Sequence, residues 1–318
     1  MTAISHFSQK NALFVMAMRM TEWAMAKEPY TRTDTTETNI FLNGLDLMFN
    51  LRGIGWSWGK SIPTPPHPAG KKSKSAFILH TLLKLIVTHC VYDAVMHTIQ
   101  SFGPTTIATH AGGTIFDTSL PLFQRHLRSM LITFIHGTSI LLGMNEMYYI
   151  IILIAFCIPG SHRDPKLWPP VWGNVWGTSS LRQLWSTEWH QNFRAPFRTL
   201  GALPGYRLFG RAGGVIGAFT LSEVFHAFAN WGFGRGLAFP GFFFMMGVGI
   251  VLEGAFADTT GRKVGGWKGR VWTMAWVVWW AQWYIDDLLT KGMAGIQSIP
   301  ENQRPAKLLH KWLISTLG

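Results

Sequence analysis

Charge is what this 318-residue chain has least of. Only 14% of its residues are Asp, Glu, Lys or Arg, against roughly 25% in an ordinary soluble domain. With 48% hydrophobic residues and a mean hydropathy of +0.16, that depletion argues against a soluble globule and for helices in lipid. Cysteine is nearly missing too. Cys90 and Cys157 both fall inside apolar segments, which excludes a disulfide framework and reads them as small buried hydrophobes. Residues 1–27 lack the layout of a secretory leader, because Arg19 and Glu22 interrupt the apolar run; no cleaved signal is expected, and insertion falls to internal spans. No zinc-finger or RNA-binding signature accompanies the net charge of +12. Nucleic acid is therefore set aside as a partner in favour of membrane lipid or an anionic co-substrate. There is no internal repeat and no low-complexity tract.

What is present is aromatic and apolar. Sixteen Trp and 22 Phe suit bilayer spans with aromatic belts. Apolar stretches at 77–98, 131–158, 213–231, 237–256 and 271–289 are each read as a span across ~30 Å of hydrocarbon. The second is overlong, which predicts a tilt or a break near Gly143. Residues 11–26 read as an interfacial helix or the stub of a span, 30–39 as a polar turn, and 40–51 as a short helix containing Asp46. Loops at 60–75 (with Lys71, Lys72 and Lys74), 161–211 and 258–270 are basic, whereas 99–124 and 232–236 are nearly free of Lys and Arg. The positive-inside rule places the basic three in the cytosol. The tail breaks the pattern with Lys291, Arg304, Lys307 and Lys311. The expected fold is all-α: a polytopic integral membrane helical bundle with a cytosolic amphipathic helix. Its organisation is N-terminal short helices and a basic linker (1–76), a membrane core (77–292) and a C-terminal tail (293–318).

Polar groups at bilayer depth are costly, so they mark candidate sites. On the 213–231 helix, Ser222, Glu223, His226 and Asn230 fall within about 100° of arc. The alternative is a histidine hydrogen-bonded between helices. In the cytosolic segment a helix is expected from Ser180, capped by Ser180 with Gln183 three residues on and ended by Pro196. One face carries Leu181, Leu184, Trp185, Glu188, Trp189, Asn192 and Phe193; the other carries Arg182, Ser186, His190 and Arg194. Either it lies on the membrane with His190 in water, or Arg182, His190 and Arg194 wall the approach to a His226 cavity and hold donor phosphates. His89, Asp93 and His97 recur at i, i+4, i+8, read as interhelical hydrogen bonding ahead of a metal site. A di-iron oxidoreductase would need denser histidine clusters. A transporter would show inverted repeats. Asp286-Asp287 lacks the second acidic cluster of a prenyltransferase.

Trp168-Pro169-Pro170, then Thr178-Ser179-Ser180-Leu181-Arg182-Gln183-Leu184-Trp185, then Trp189-His190-Gln191 resemble the "WPPLF … TSLREFWGRRWHQ" signature of wax synthase domains, in the family of membrane-bound O-acyltransferase-like proteins. Leu221-Ser222-Glu223-Val224-Phe225-His226 is similar to that family's "F-x-x-SGLLH" helix, and Arg52-Gly53-Ile54-Gly55-Trp56 to the "RGIGW" element of fungal members. The motifs run from about Leu51 to Gly292. Fungal relatives include O-acetyltransferases that finish terpenoids and other secondary metabolites. The resemblance implies acyl-CoA, acetyl-CoA foremost, as co-substrate with no bound cofactor or metal. It implies a lipophilic alcohol as acceptor, an endoplasmic reticulum location, His226 as the catalytic histidine, and Trp189-His190-Gln191 beside the donor thioester.

In that scheme His226 is the general base, its ordinary pKa of about 6.5 suiting neutral pH. His190 donates to the thioester oxygen, Ser222, Glu223 or Asn230 support the imidazole, and Trp185, Trp189, Gln191, Arg182 and Arg194 bind the donor. A cavity open to both faces would admit acyl-CoA from the cytosol and the acceptor from lipid. Transfer would be direct, since neither cysteine lies near. Two departures stand out: Glu223 replaces the family's glycine, and few spans precede the "RGIGW" element, so a shortened N-terminus is expected. Wax-ester synthesis from a long-chain acyl-CoA and a fatty alcohol is the alternative within the family.

Overall fold

A computed structural model describes residues 2–33, 39–67, 73–158, 160, 163–234, 236–296 and 299–317. Residues 34–38 of the polar turn, and Lys71 and Lys72 of the first basic loop, lie outside the described residues. The helices are α1 (Thr2–Ala24), α2 (Ile40–Phe49), α3 (Lys74–Ser101), α4 (Leu122–Cys157), α5 (Leu181–Gln183), α6 (Arg194–Pro196), α7 (Leu203–Trp231), α8 (Phe242–Thr260), α9 (Gly266–Thr290) and α10 (Pro305–Leu317). Among the described residues, the extended pairing is limited to an isolated bridge between Arg32 and Trp56. The chain is the all-α membrane bundle expected. Among the described residues, four stretches are long and apolar enough to cross a bilayer: α3, α4, residues 194–231 and α8. The 25-residue α9 matches them in length, with its tryptophans lowering its hydropathy.

α4 runs unbroken through Gly143 for 36 residues, about 54 Å at 1.5 Å per residue, so the excess is taken up by tilt or by overhang and not by a break. Leu79, Ile86, Val87, Leu131 and Ile154 are exposed on α3 and α4, as a lipid-facing surface requires. Cys90 and Cys157 lie on that exposed surface and are not buried as expected. A thiol is apolar enough to face hydrocarbon. The charges that interrupt the N-terminal run neutralise each other: Arg19 donates to Glu22 at 2.6 Å, both nearly inaccessible. α1 packs on α7, Phe14 lying 5.7 Å from Phe225 and 5.4 Å from Phe228.

Three of the four tail cations that were anomalous in sequence, Lys291, Arg304 and Lys307, are paired. Lys291 meets Asp287 at 2.8 Å, Lys307 meets Glu301, and Arg304 meets Asp93 at 2.6 Å. Arg304 is buried, its guanidinium also donating to Gln100 Oε1 at 2.8 Å, while Asp93 accepts the backbone N–H of Ala306. The cluster straps α10 onto α3. Replacing Arg304 by alanine would strand the Asp93 carboxylate at about 3–5 kcal/mol. Melting in detergent should drop by several degrees and α10 should become protease-sensitive; an unchanged melting temperature would mean the strap is incidental. His89 makes the interhelical bond expected of it, to Glu146 on α4 at 2.9 Å, while His97 packs edge-on to His310 at 5.6 Å.

Candidate active site

Pro196 does not end a helix; it sits in the first turn of one. Proline fits there because the N–H it lacks would have no intrahelical partner. The helix expected from Ser180 stops early instead. Ser180 caps it, accepting from the Gln183 N–H at 3.0 Å. The chain then widens into a π turn over Leu184–Glu188 and leaves the helix at Trp189, which is extended (φ −73°, ψ 152°). Helix resumes at Arg194, passes through a second π turn at Phe197–Ala202 just ahead of Pro204, and enters α7. At Phe209 and Gly210 it folds back on itself, Gly210 adopting φ +63°, ψ −151°, a conformation open essentially to glycine alone. Residues 194–208 thus form a short arm lying against the long arm, 211–231. The arms touch backbone to backbone, since a Cβ on Gly205 would run into the carbonyl oxygen of Gly213.

Between the short arm, the long arm, α8 and the 182–191 segment lies a cavity of about 830 Å³. On the long arm its lining runs from Arg211 to His226, a depth of about 22 Å at 1.5 Å per residue. On α8 it runs from Asp258 to Phe243. Beyond those two floor residues Phe242 and Tyr284 close the space, stacked 5.7 Å apart. The lining ends at His226 and Phe243 at this end, and at the exposed Arg211 and Asp258 at the other.

His226 is set with one nitrogen committed. Its Nδ1 lies 2.8 Å from the Ser222 carbonyl oxygen, which can only accept, so Nδ1 carries the hydrogen and Nε2 keeps its lone pair. The ring is stacked on Phe243 at 3.8 Å and 19°. Ser222 thus supports the imidazole, through its carbonyl. Glu223 and Asn230 do not touch the imidazole. Glu223 accepts the N–H groups of Gly241 and Phe243, both at 2.8 Å, and so caps the start of α8, where a carboxylate is favoured by the exposed amides. Its link to His226 runs through Phe243, whose N–H it holds and on whose ring the imidazole stacks. Asn230 turns to Asp287 at 3.4 Å. A second membrane carboxylate, Glu253 on α8, caps α5 by accepting from Leu181 and Arg182 N–H groups at 2.6 and 3.0 Å.

His190 lines the cavity beside His226, with its ring among Trp172 (5.3 Å), Trp189 (5.6 Å) and Phe193 (6.0 Å). It does not stand in open water. Burial pushes its pKa down to about 3, with the nearby His226 and Arg52 acting the same way, so the ring is neutral at any working pH. Its Nδ1 is enclosed without a partner, which leaves Nε2 as the edge toward the cavity. Trp185 and Trp189 pack at 5.1 Å and both line the cavity. Gln191 and Arg194, expected on the donor, are largely spent on the loop. Gln191 donates to the Trp189 carbonyl at 2.5 Å, and Arg194 donates to Gln191 Oε1 and the Ser186 carbonyl, each at 2.7 Å. Arg182 remains on the cavity wall.

Sequence reading missed several contributors. Arg52 of the "RGIGW" element is buried and donates to the Pro169 and Pro170 carbonyls at 2.9 and 2.6 Å, tying the two motifs into one support behind Trp172 and His190. Arg198 and Arg211 line the cavity because the helix continues past Pro196, a continuation that proline in a first turn would have allowed.

The sequence pattern described as the membrane bound O-acyl transferase family matches residues 168–246, the stretch from the Trp-Pro-Pro turn through His226 to Met246. The chain is 26% identical to the O-mevalon transferase yanI of Aspergillus niger, covering 79% of this chain and 63% of that protein. It is 26% identical to the acetyltransferase atnC of Arthrinium sp, covering 80% and 64%. Identity to the acetyltransferase ataH of Aspergillus terreus is 28%, covering 75% and 86%. The chain thus spans less than two thirds of the length of the first two. No solved structure matches. The family resemblance read from the sequence is borne out.

Proposed function

We propose that the chain moves a short acyl group, acetyl foremost, from acyl-CoA to a hydroxyl of a lipophilic acceptor, a terpenoid or similar secondary metabolite, at the endoplasmic reticulum membrane. The observation that carries this reading is His226 at the floor of a deep cavity, its Nε2 lone pair free and its Nδ1 hydrogen fixed on Ser222. The acceptor hydroxyl gives its proton to Nε2 as its oxygen attacks the thioester carbonyl. His190, neutral and carrying its hydrogen on Nε2, donates to the oxyanion that forms. The C–S bond then breaks, and the imidazolium returns its proton to the departing thiolate. Ester and free CoA leave, and no enzyme-bound acyl group arises.

The floor speaks for a short acyl group. Phe243 and Tyr284 stand immediately beside His226, 3.8 and 6.0 Å from its ring, which leaves little depth beyond a thioester placed there. The relatives named acetyltransferases point the same way. An acceptor reaches the cavity between the short arm and α8, whose facing residues Phe197, Leu203, Ile250, Val251 and Ala255 are apolar.

The test is turnover in isolated membranes with labelled acetyl-CoA, set against a long-chain acyl-CoA, across a panel of terpenoid and fatty alcohols. Acetyl esters are expected; long-chain esters as the main product would point to wax-ester synthesis. Replacing His190 by alanine should lower kcat about 10²–10³-fold, the usual cost of one oxyanion donor. Because His190 takes up a proton only near pH 3, its replacement should leave the shape of the pH profile between 5 and 7 unchanged. Unchanged turnover would reduce His190 to aromatic filler.

A further inference from the structure

The chain is pinned on both sides of Trp172. Ahead of it, Arg52 donates to the Pro169 and Pro170 carbonyls at 2.9 and 2.6 Å, and the Tyr148 hydroxyl donates to the Pro169 carbonyl at 2.7 Å. Beyond it, the Gly173 N–H donates to the Glu188 carbonyl at 2.8 Å and the Asn174 N–H to the Glu188 carboxylate at 2.6 Å. These last two bonds tie the turn to the segment that carries His190. The indole is thereby set edge-on against the His190 ring, with centres 5.3 Å apart at 67°, and against Trp189 at 4.7 Å. Two nitrogens in this contact, Trp172 Nε1 and His190 Nδ1, are enclosed and have no hydrogen-bond partner among the described residues. They are complementary, since an indole N–H can only donate and a neutral imidazole keeps one nitrogen that accepts. Enclosed polar groups are normally paired, donors above all. Rings this close bring their edges to hydrogen-bond length when the two nitrogens face each other, and χ2 is a soft torsion in both side chains. Catalytic hydrogen bonds are often long in the unliganded state and tighten once substrate is in place.

We propose that Trp172 is the positioning residue for His190: its indole N–H holds His190 Nδ1 as an acceptor and so keeps the ring's hydrogen on Nε2, the edge that faces the cavity. This rests on the oxyanion role given to His190 above. Which nitrogen of a neutral imidazole carries the hydrogen is set by the bond that the other one makes. With Nδ1 accepting, Nε2 donates to the oxyanion; in the other tautomer Nε2 turns a lone pair toward that charge and repels it. The arrangement at His226 has the opposite sense, because there the Ser222 carbonyl takes the Nδ1 hydrogen and leaves Nε2 its lone pair. One partner on each Nδ1, an acceptor at His226 and a donor at His190, thus gives the two rings opposite Nε2 edges. One takes the proton and the other holds the charge. Burial keeps His190 neutral, so the tautomer is the choice left to the ring.

The experiment compares wild type with Trp172→Phe, which keeps an aromatic ring in place and removes the N–H. The first readout is nitrogen NMR of detergent-solubilised protein labelled at its histidine ring nitrogens, the His190 signals being assigned by their loss in His190→Ala. Wild type should show a bare Nδ1 and a protonated Nε2, and Trp172→Phe should move the hydrogen toward Nδ1. Wild-type His190 with its hydrogen on Nδ1 would overturn the proposal without any variant at Trp172. The second readout is turnover of acetyl-CoA with a lipophilic alcohol in membranes matched for folded protein. In Trp172→Phe kcat should fall about tenfold, the scale of one hydrogen bond, with both KM values unchanged. That loss should vanish in a His190→Ala background, where no tautomer remains to be set. Wild-type kcat in Trp172→Phe, or the same loss with and without His190, would make Trp172 a packing residue and end the proposal. Normal turnover in His190→Ala, with the NMR change still seen in Trp172→Phe, would sink the oxyanion role of His190 and leave its bond to Trp172 standing.

Discussion

Replacing Glu223 by alanine is expected to cut acyl transfer about a hundredfold, although its carboxylate never touches the imidazole. The carboxylate holds the N–H groups of Gly241 and Phe243. Without it both stay unpaired at the buried start of α8, at about 1–3 kcal/mol each. The first turn of α8 would loosen, and Phe243 would no longer hold the His226 ring at 3.8 Å. A shift of about 1 Å in a reacting group is enough for a loss of this size. Glutamine at 223 should recover part of the activity, since its carbonyl can cap one amide while its NH2 repels the other. The donor KM should hardly move, because Arg211, at the other end of the cavity lining, lies about 22 Å along the helix from His226. The check is kcat and KM in membranes matched for folded protein, with melting in detergent beside them. Wild-type turnover in Glu223→Ala would separate Phe243 from catalysis altogether.

Glu223 also shows what sequence could and could not disclose. Its place on the polar stripe of the 213–231 helix was legible, because an acid at bilayer depth needs a partner. That the partner is the start of the next helix was not, since the turn joining α7 to α8 leaves no pattern to fix how the chain returns. The spans were legible from length and apolar composition. The tail's positive charge looked like a topological error only because pairing across 211 residues, as between Asp93 and Arg304, is invisible in a linear sequence. The segment around His190 was read as one regular amphipathic helix. Two π turns and an extended Trp189 replace that helix, which brings His190 inward and carries Arg198 to the cavity. Local irregularity of this kind follows from tertiary packing against α7 and α8, and periodicity cannot report it.

The rival readings meet specific geometry. A transport path would have to pass His226, where the cavity lining ends and Phe243, Phe242 and Tyr284 pack against one another. His89 and Asp93, the start of the regular histidine-acid set, are bonded to Glu146 and Arg304. Asp286 accepts from Thr114 and Ile115 at 2.7 and 2.8 Å, anchoring a loop.

The larger expected effect is at His226. Among the described residues beside it, Glu223 is committed to α8, Asn230 cannot act as a base, and His190, in the tautomer proposed, presents a hydrogen and no lone pair to the cavity. Alanine at 226 removes the base while Ser222, which loses a bond to its carbonyl, stays within a helix that is otherwise intact. General base catalysis alone is worth about 10²–10⁴ in rate, so turnover should fall to background. The measurement is transfer of label from acetyl-CoA to a lipophilic alcohol in membranes carrying equal amounts of wild type and His226→Ala. Labelled ester from wild type and none above background from the variant is the predicted result. Ester formation by the variant at a comparable rate would contradict the account.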